Sequence, residues 1–132
     1  MRLLNAVCMF LLVQCSLENK TETNEDKKSI LKECIHEENP HPAHLNRLKQ
    51  GEFVDDPKLK CFIKCAVIKY NEMTSNGTLV AETIKNNIHV KLSNEQKIQL
   101  IKTCQEGNKT DLCDYAYKAF KCITENVYKM YN

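Results

Sequence analysis

The sequence predicts a single all-α domain cross-linked by three disulfides, on three observations. Apolar residues recur at intervals of three and four, and no segment sustains the period of two that a strand requires. Breakers are few among the 132 residues, with 3 glycines and 3 prolines, while Lys, Glu, Leu and Ile abound. Six cysteines remain once an export leader is removed, an even set that reads as disulfides. The length favours one core, since two would each fall near the lower limit for independent folding.

The leader is residues 1–15. Arg2 supplies a positive start, Leu3 to Val13 an apolar run, and Val13 and Cys15 the small residues of a cleavage site, so the mature domain is expected to span 16–132. The apolar run is short for a membrane anchor, the competing reading, and no second run follows it. Cleavage removes Cys8 and Cys15 and leaves Cys34, Cys61, Cys65, Cys104, Cys113 and Cys122. The sequons Asn19-Lys-Thr, Asn76-Gly-Thr and Asn108-Lys-Thr fit export.

Ser16 to about Asp26 is polar and reads as a loose arm. Ile30, Leu31, Cys34 and Ile35 mark a first helix that Asn39-Pro40 ends, and His41-Pro42 opens a second, with Leu45 and Leu48, that Gly51 closes. Asp56-Pro57 starts a third helix, expected to reach about Met73, with Leu59, Phe62, Ile63, Ala66, Val67, Tyr70 and Met73 on one face. Asn76-Gly77 turns the chain. Leu79, Val80, Thr83, Ile84 and Ile88 predict a fourth helix, and Ser93 with Gln96 forms a capping box for a fifth, ended by Gly107-Asn108. Thr110 or Asp111 caps a sixth, running towards Tyr128. Its Leu112, Cys113, Ala116, Tyr117, Ala119, Phe120, Ile123 and Val127 fall in an arc of roughly 160°, opposite Asp114, Lys118, Lys121, Glu125 and Lys129.

Helix geometry restricts the bridges. Cys61 and Cys65 lie one turn apart, their Cβ atoms about 6 Å from each other where a bridge needs roughly 3.8 Å. Cys113 and Cys122 are separated by about 13.5 Å of helical rise. Of the 15 pairings open to six cysteines, ten avoid both. A metal site at Cys61-x3-Cys65 lacks partners at finger spacing, and exported thiols oxidise.

The spacing Cys34-x26-Cys61-x3-Cys65-x38-Cys104-x8-Cys113-x8-Cys122, with the stretch from Asp111 to Cys122, resembles the six-cysteine signature of the insect odorant-binding proteins, the pheromone-binding and general-odorant-binding family. The resemblance covers about residues 27 to 130. It implies a compact bundle of six helices around an internal apolar pocket, with three interlocked disulfides: Cys34–Cys65, Cys61–Cys113 and Cys104–Cys122. It implies a secreted carrier of small hydrophobic ligands through extracellular lymph, with a chemoreceptor as recipient. Pocket positions carried over relative to the cysteines are Leu59, Ile63, Ile68, Leu112, Ala116 and Ala119. The fourth helix adds Val80, Ile84 and Ile88 as another wall, and the sixth Ile123 and Val127. Only ten residues follow Cys122, too few for a long inserted tail, although Tyr128 or Tyr131 would reach the mouth.

Each of these apolar residues is equally compatible with plain core packing, because periodicity does not separate core from ligand contact. His36, His41, His44 and His89 titrate in the range of a pH switch, but His41 and His44 are expected to be exposed on a short surface helix. Tyr70, Tyr115 and Tyr117 are candidate donors to a ligand oxygen, although buried tyrosines more often satisfy protein carbonyls. The net charge of +2 leaves no footprint for nucleic acid or an anionic membrane. No motif for nucleophilic, metal-assisted or phosphoryl chemistry occurs, so neither an enzyme nor a cofactor is expected. The rival reading is a secreted interaction or scavenger protein of venom, saliva or seminal fluid on the same scaffold; a weak homodimer is left open.

Overall fold

The computed structural model describes residues 22–105 and 107–131; the expected leader and the sequon at Asn19 lie outside them. Six helices follow in order: α1 (Glu22–Glu38), α2 (Pro42–Lys49), α3 (Pro57–Lys69), α4 (Ala81–Asn86), α5 (Asn94–Thr103) and α6 (Leu112–Tyr131). Among the described residues no strand forms, and the one β-bridge joins Met73 to Leu79 across the turn after α3.

The start signals act as the residue types dictate. The Asp56 carboxylate accepts from the amides of Lys58 and Leu59, with Pro57 in the first turn, and Ser93 and Gln96 form the reciprocal capping box. His41 caps α2 with its ring, Nδ1 accepting from the Ala43 amide. Asp111, rather than Thr110, caps α6 by accepting from the amides of Cys113 and Asp114.

α5 ends at Thr103, ahead of the expected Gly107-Asn108 stop, and three further boundaries differ from the sequence expectation. First, α1 begins at Glu22, so half of the expected arm is helix; Glu, Lys and Asn there carry no breaker. Second, α3 ends at Lys69, four residues before Met73. Asn71 takes a left-handed conformation (φ 63°), the Glu72 amide donates to the Val67 carbonyl and the Asn71 amide to that of Ile68. That is a Schellman closure with Asn in the position glycine usually fills, and Gly51 closes α2 by the same pattern. Third, α4 is only six residues long, leaving Leu79 in the β-bridge and Ile88 in the link to α5.

The core sits around α3, which packs against both α1 and α6. The expected apolar face of α3 is buried from Leu59 to Val67, and Leu31, Leu48, Ile84, Ile101 and Phe120 join it from the other helices. Three disulfides lock the arrangement: Cys34–Cys65 (S–S 2.09 Å) ties α1 to α3, Cys61–Cys113 (2.01 Å) ties α3 to α6, and Cys104–Cys122 (2.03 Å) ties the end of α5 to α6. These pairs coincide with the connectivity the family resemblance implies. They close 31, 52 and 18 residues of chain, and each stabilises by about 3–4 kcal/mol in the chain-entropy account.

Candidate binding interior

The eleven apolar residues expected to touch a ligand fall into two groups. Leu59 and Ile63 on α3, Ile84 and Ile88 at and after α4, and Ala116, Ala119, Ile123 and Val127 on α6 are all buried. Ile68, Val80 and Leu112 are half-buried at the margin of the core. On α6 the five residues from Leu112 to Val127 recur at spacings of four and three, which places them on one stripe. The buried arc of α6 is wider than periodicity indicates, close to 200°, because Tyr115 is buried as well, and the polar Thr124 is buried within it.

The polar groups bordering the interior are mostly engaged by the protein itself. Tyr117 Oη donates to the Phe53 carbonyl at 2.8 Å, with the two rings edge to face, and Tyr115 Oη donates to the Gln105 carbonyl at 3.1 Å. Tyr70 is held above its ordinary phenol range, first by burial and then by the neighbouring Glu72 carboxylate. Glu72 is itself buried and accepts from Asn87 Nδ2 at 2.7 Å, which pins the end of α4 to the turn after α3. Thr124 differs: its hydroxyl is buried on α6 (1 % exposed) and makes no hydrogen bond.

A charged clasp lies over the α3–α6 seam. Lys60 Nζ is 2.7 Å from Asp55 and 2.9 Å from Asp114, and 5.1 Å from the centre of the Tyr117 ring; Lys118 also meets Asp114 at 2.9 Å. Hydrogen bonds to the two carboxylates hold Lys60 above its usual range, and those from Lys60 and Lys118 hold Asp114 below the usual carboxylate range. Helical spacing assigned Asp114 to the solvent face. The clasp is invisible to a one-helix reading, because Lys60 and Asp114 are 54 residues apart.

Among the described residues, surface clefts of about 270, 350 and 310 Å³ accompany this interior, and none of the eleven residues lines these. The first runs between α5 and α6, between Leu100 and Met130. The second holds His41, His44 and Asp56 at the start of α2. His36, His41 and His89 are exposed; His44, expected there too, is half-buried, its Nδ1 3.8 Å from Asp56. Among the described residues, the group with metal-ligand proximity is Glu37, Glu38 and Cys65. The Cys65 sulfur is bonded to Cys34 and offers no thiolate, as Cys61 offers none. No helix of the described residues is long and apolar enough to cross a membrane.

An all-helical shell stapled three times around a buried apolar interior, with the Tyr115 and Tyr117 hydroxyls turned to protein carbonyls, defines a small disulfide-bonded helical domain. Residues 16–126 match the PBP/GOBP family, and the chain belongs to that family of odorant and pheromone carriers. It is 20 % identical to odorant-binding protein 10 of Aedes aegypti, with 98 % of this chain and 96 % of that protein covered. It is also 25 % identical to B2 protein of Tenebrio molitor over 71 % of this chain and 73 % of that one. No solved structure matches the chain significantly.

Proposed function

We propose that the protein is a secreted carrier that reversibly binds small hydrophobic molecules (odorants, pheromones or related lipids) and takes them through extracellular lymph to a receptor. One observation carries the reading: a chain of this family buries an apolar stripe of α6 opposite the apolar face of α3. Small residues, Ala116 and Ala119, stand in the middle of that stripe. Shape and apolarity then select the guest, and apolar burial supplies the affinity. Three cross-links make up for packing that a guest site lacks, since an unfilled cavity costs about 24 cal/mol per Å³. Export by residues 1–15 is supported by the family match, which begins at residue 16, and by the pairing of the six cysteines among the described residues.

The test is displacement of a fluorescent apolar probe from the refolded, disulfide-bonded protein by a panel of alcohols, esters, aldehydes and fatty acids. Micromolar displacement is expected. Ala116→Leu should weaken probe binding about tenfold, or ~1.4 kcal/mol, while the circular dichroism spectrum stays unchanged. A panel that displaces nothing, on a protein that binds no probe, ends the carrier reading. The second reading, a secreted interaction protein on the same scaffold, is favoured by one feature, the clefts that open on the surface away from the eleven residues. Expression confined to a venom, salivary or accessory gland would support it; antennal enrichment supports the carrier.

A further inference from the structure

Two of the three sequons fall within the described residues, far apart in sequence, and the fold brings them to one edge. Asn76 lies in the turn after α3, and Asn108 in the link between α5 and α6. Gly77 joins the two segments. It is buried, and a Cβ built on it would lie 2.7 Å from Leu112 Cδ2 and 3.6 Å from Lys109 Cδ. The turn and the link therefore pack side by side, while Asn76, Thr78, Asn108 and Thr110 all face solvent. In each sequon the hydroxyl two residues on already sits against the asparagine amide. Thr110 Oγ1 donates to Asn108 Oδ1 at 2.6 Å and its amide donates to the same oxygen at 2.9 Å, while Thr78 Oγ1 donates to Asn76 Oδ1 at 3.4 Å.

We infer that this edge is N-glycosylated, with Asn108 the principal acceptor and Asn76 the second. The donor is an oligosaccharide carried on a polyprenyl pyrophosphate. The Asn108 side-chain nitrogen forms a bond to the first sugar carbon as the carbon–oxygen bond to the pyrophosphate breaks. The lipid pyrophosphate leaves with the electron pair, and a base on the transferase takes the amide proton. Nothing is oxidised or reduced.

The order of the two sites follows from how each segment closes. The Asn76 turn is local: the Thr74 amide donates to Thr78 O, the Gly77 amide to Thr74 O and the Thr78 amide to Thr74 Oγ1. Hairpin-sized contacts of this kind form in microseconds. The Asn108 link lies between Cys104 and Cys113, whose bridges run to Cys122 and Cys61. Its two ends are fixed to the rest of the fold when those bonds have formed, a matter of seconds to hours, and the link stays open to a transferase for longer. A glycan there sits at the start of α6, about 27 Å along the helix from Met130, and leaves the α5–α6 cleft uncovered.

The inference rests on the reading of the chain as exported, and the experiment separates the two. The full chain with its leader is expressed in insect cells, and cells and medium are analysed by intact mass before and after peptide N-glycosidase treatment. Sites are read from conversion of Asn to Asp in heavy-oxygen water. The secreted protein should carry an enzyme-sensitive mass excess. Asn108→Gln and Thr110→Ala should each remove the larger share of it, Thr110→Ser should keep it, and Asn76→Gln should remove the smaller share. Secreted protein with the mass of the bare polypeptide, or modified at Asn19 alone, overturns the inference and leaves export standing. Chain retained unprocessed in the cells overturns export, and the inference with it.

Discussion

The α3–α6 side of the molecule and the α4–α5 side are built by different means. On the first, helices of 13 and 20 residues start at Asp side-chain caps, bury continuous apolar faces and are joined by Cys61–Cys113 and the Lys60 clasp. On the second, α4 has six residues and Val80 offers its start no side-chain cap. A helix that short does not persist alone, because nucleation consumes most of its hydrogen bonds. It is held from outside, by Asn87 on Glu72 and by Lys97, which donates to the Ile88 carbonyl at 2.8 Å. The α3–α6 side is specified locally and then packed, and α5 has its own capping box, but α4 exists because it is packed.

The largest way to test that contrast is to cut the staples. Replacing Cys61 and Cys113 together by alanine opens a 52-residue loop and should cost about 4 kcal/mol, against about 3 kcal/mol for Cys104 and Cys122, which close 18. Urea midpoints at unchanged m-value measure both. If loss of the shorter bridge proves the more damaging, the α5 side depends on its staple more than loop length allows, and the division drawn above is misplaced.

Truncation in the two cores comes next. Ile63→Ala on α3 and Ile84→Ala on α4 both remove fully buried side chains, and each should cost about 2–5 kcal/mol. Ile63 should stand at the upper end, since disulfides to α1 and α6 fix the helix that carries it and the cavity does not collapse. Around Ile84 the short helix and the 87–93 link should relax into the space. Equal losses in equilibrium unfolding would mean that α4 is as rigidly held as α3.

The same contrast explains what was legible in the sequence. The caps at Asp56 and Ser93, the closure at Gly51 and the buried face of α3 are local events, and residue types announce them. The end of α3 was not announced, because Asn71 in a left-handed turn looks like any polar helical residue until Glu72 and Met73 turn away. The length of α4 was hidden for the opposite reason: Ile84 and Ile88 keep helical spacing and are both buried, yet only Ile84 is helical. For the interior, periodicity picked out which residues face inward. It does not encode the distances between helices, and so does not separate a lining residue from a packed one.

Thr124 offers a smaller probe of the α6 face. Its buried hydroxyl has no partner, so desolvation is uncompensated. Thr124→Val keeps the shape, removes the hydroxyl and should stabilise the protein by about 1 kcal/mol. Destabilisation in urea would show that the hydroxyl is engaged in solution and that the seam is less dry than its burial indicates.

Asp114 should give the smallest effect and the most specific signature. Hydrogen bonds from Lys60 and then Lys118 hold its carboxyl below the ordinary range. A carboxylate with a depressed folded value stabilises the fold at pH above its unfolded value, about 3.9, and loses that contribution as pH falls through the folded value. Lys60 runs the other way: its raised folded value is a contribution that disappears only as pH climbs past the lysine range. At neutral pH both are present, and solvent screening keeps the clasp worth little. Asp114→Asn should therefore barely move the unfolding midpoint at pH 7, yet flatten its decline as the pH falls below the ordinary carboxylate range. Asp111→Asn, which keeps a helix-capping side chain, is the control on the same turn. If the Asp114 variant and the natural protein decline in parallel with acid, the clasp over the α3–α6 seam contributes no stability, and that side of the molecule rests on its disulfide and its apolar contacts alone.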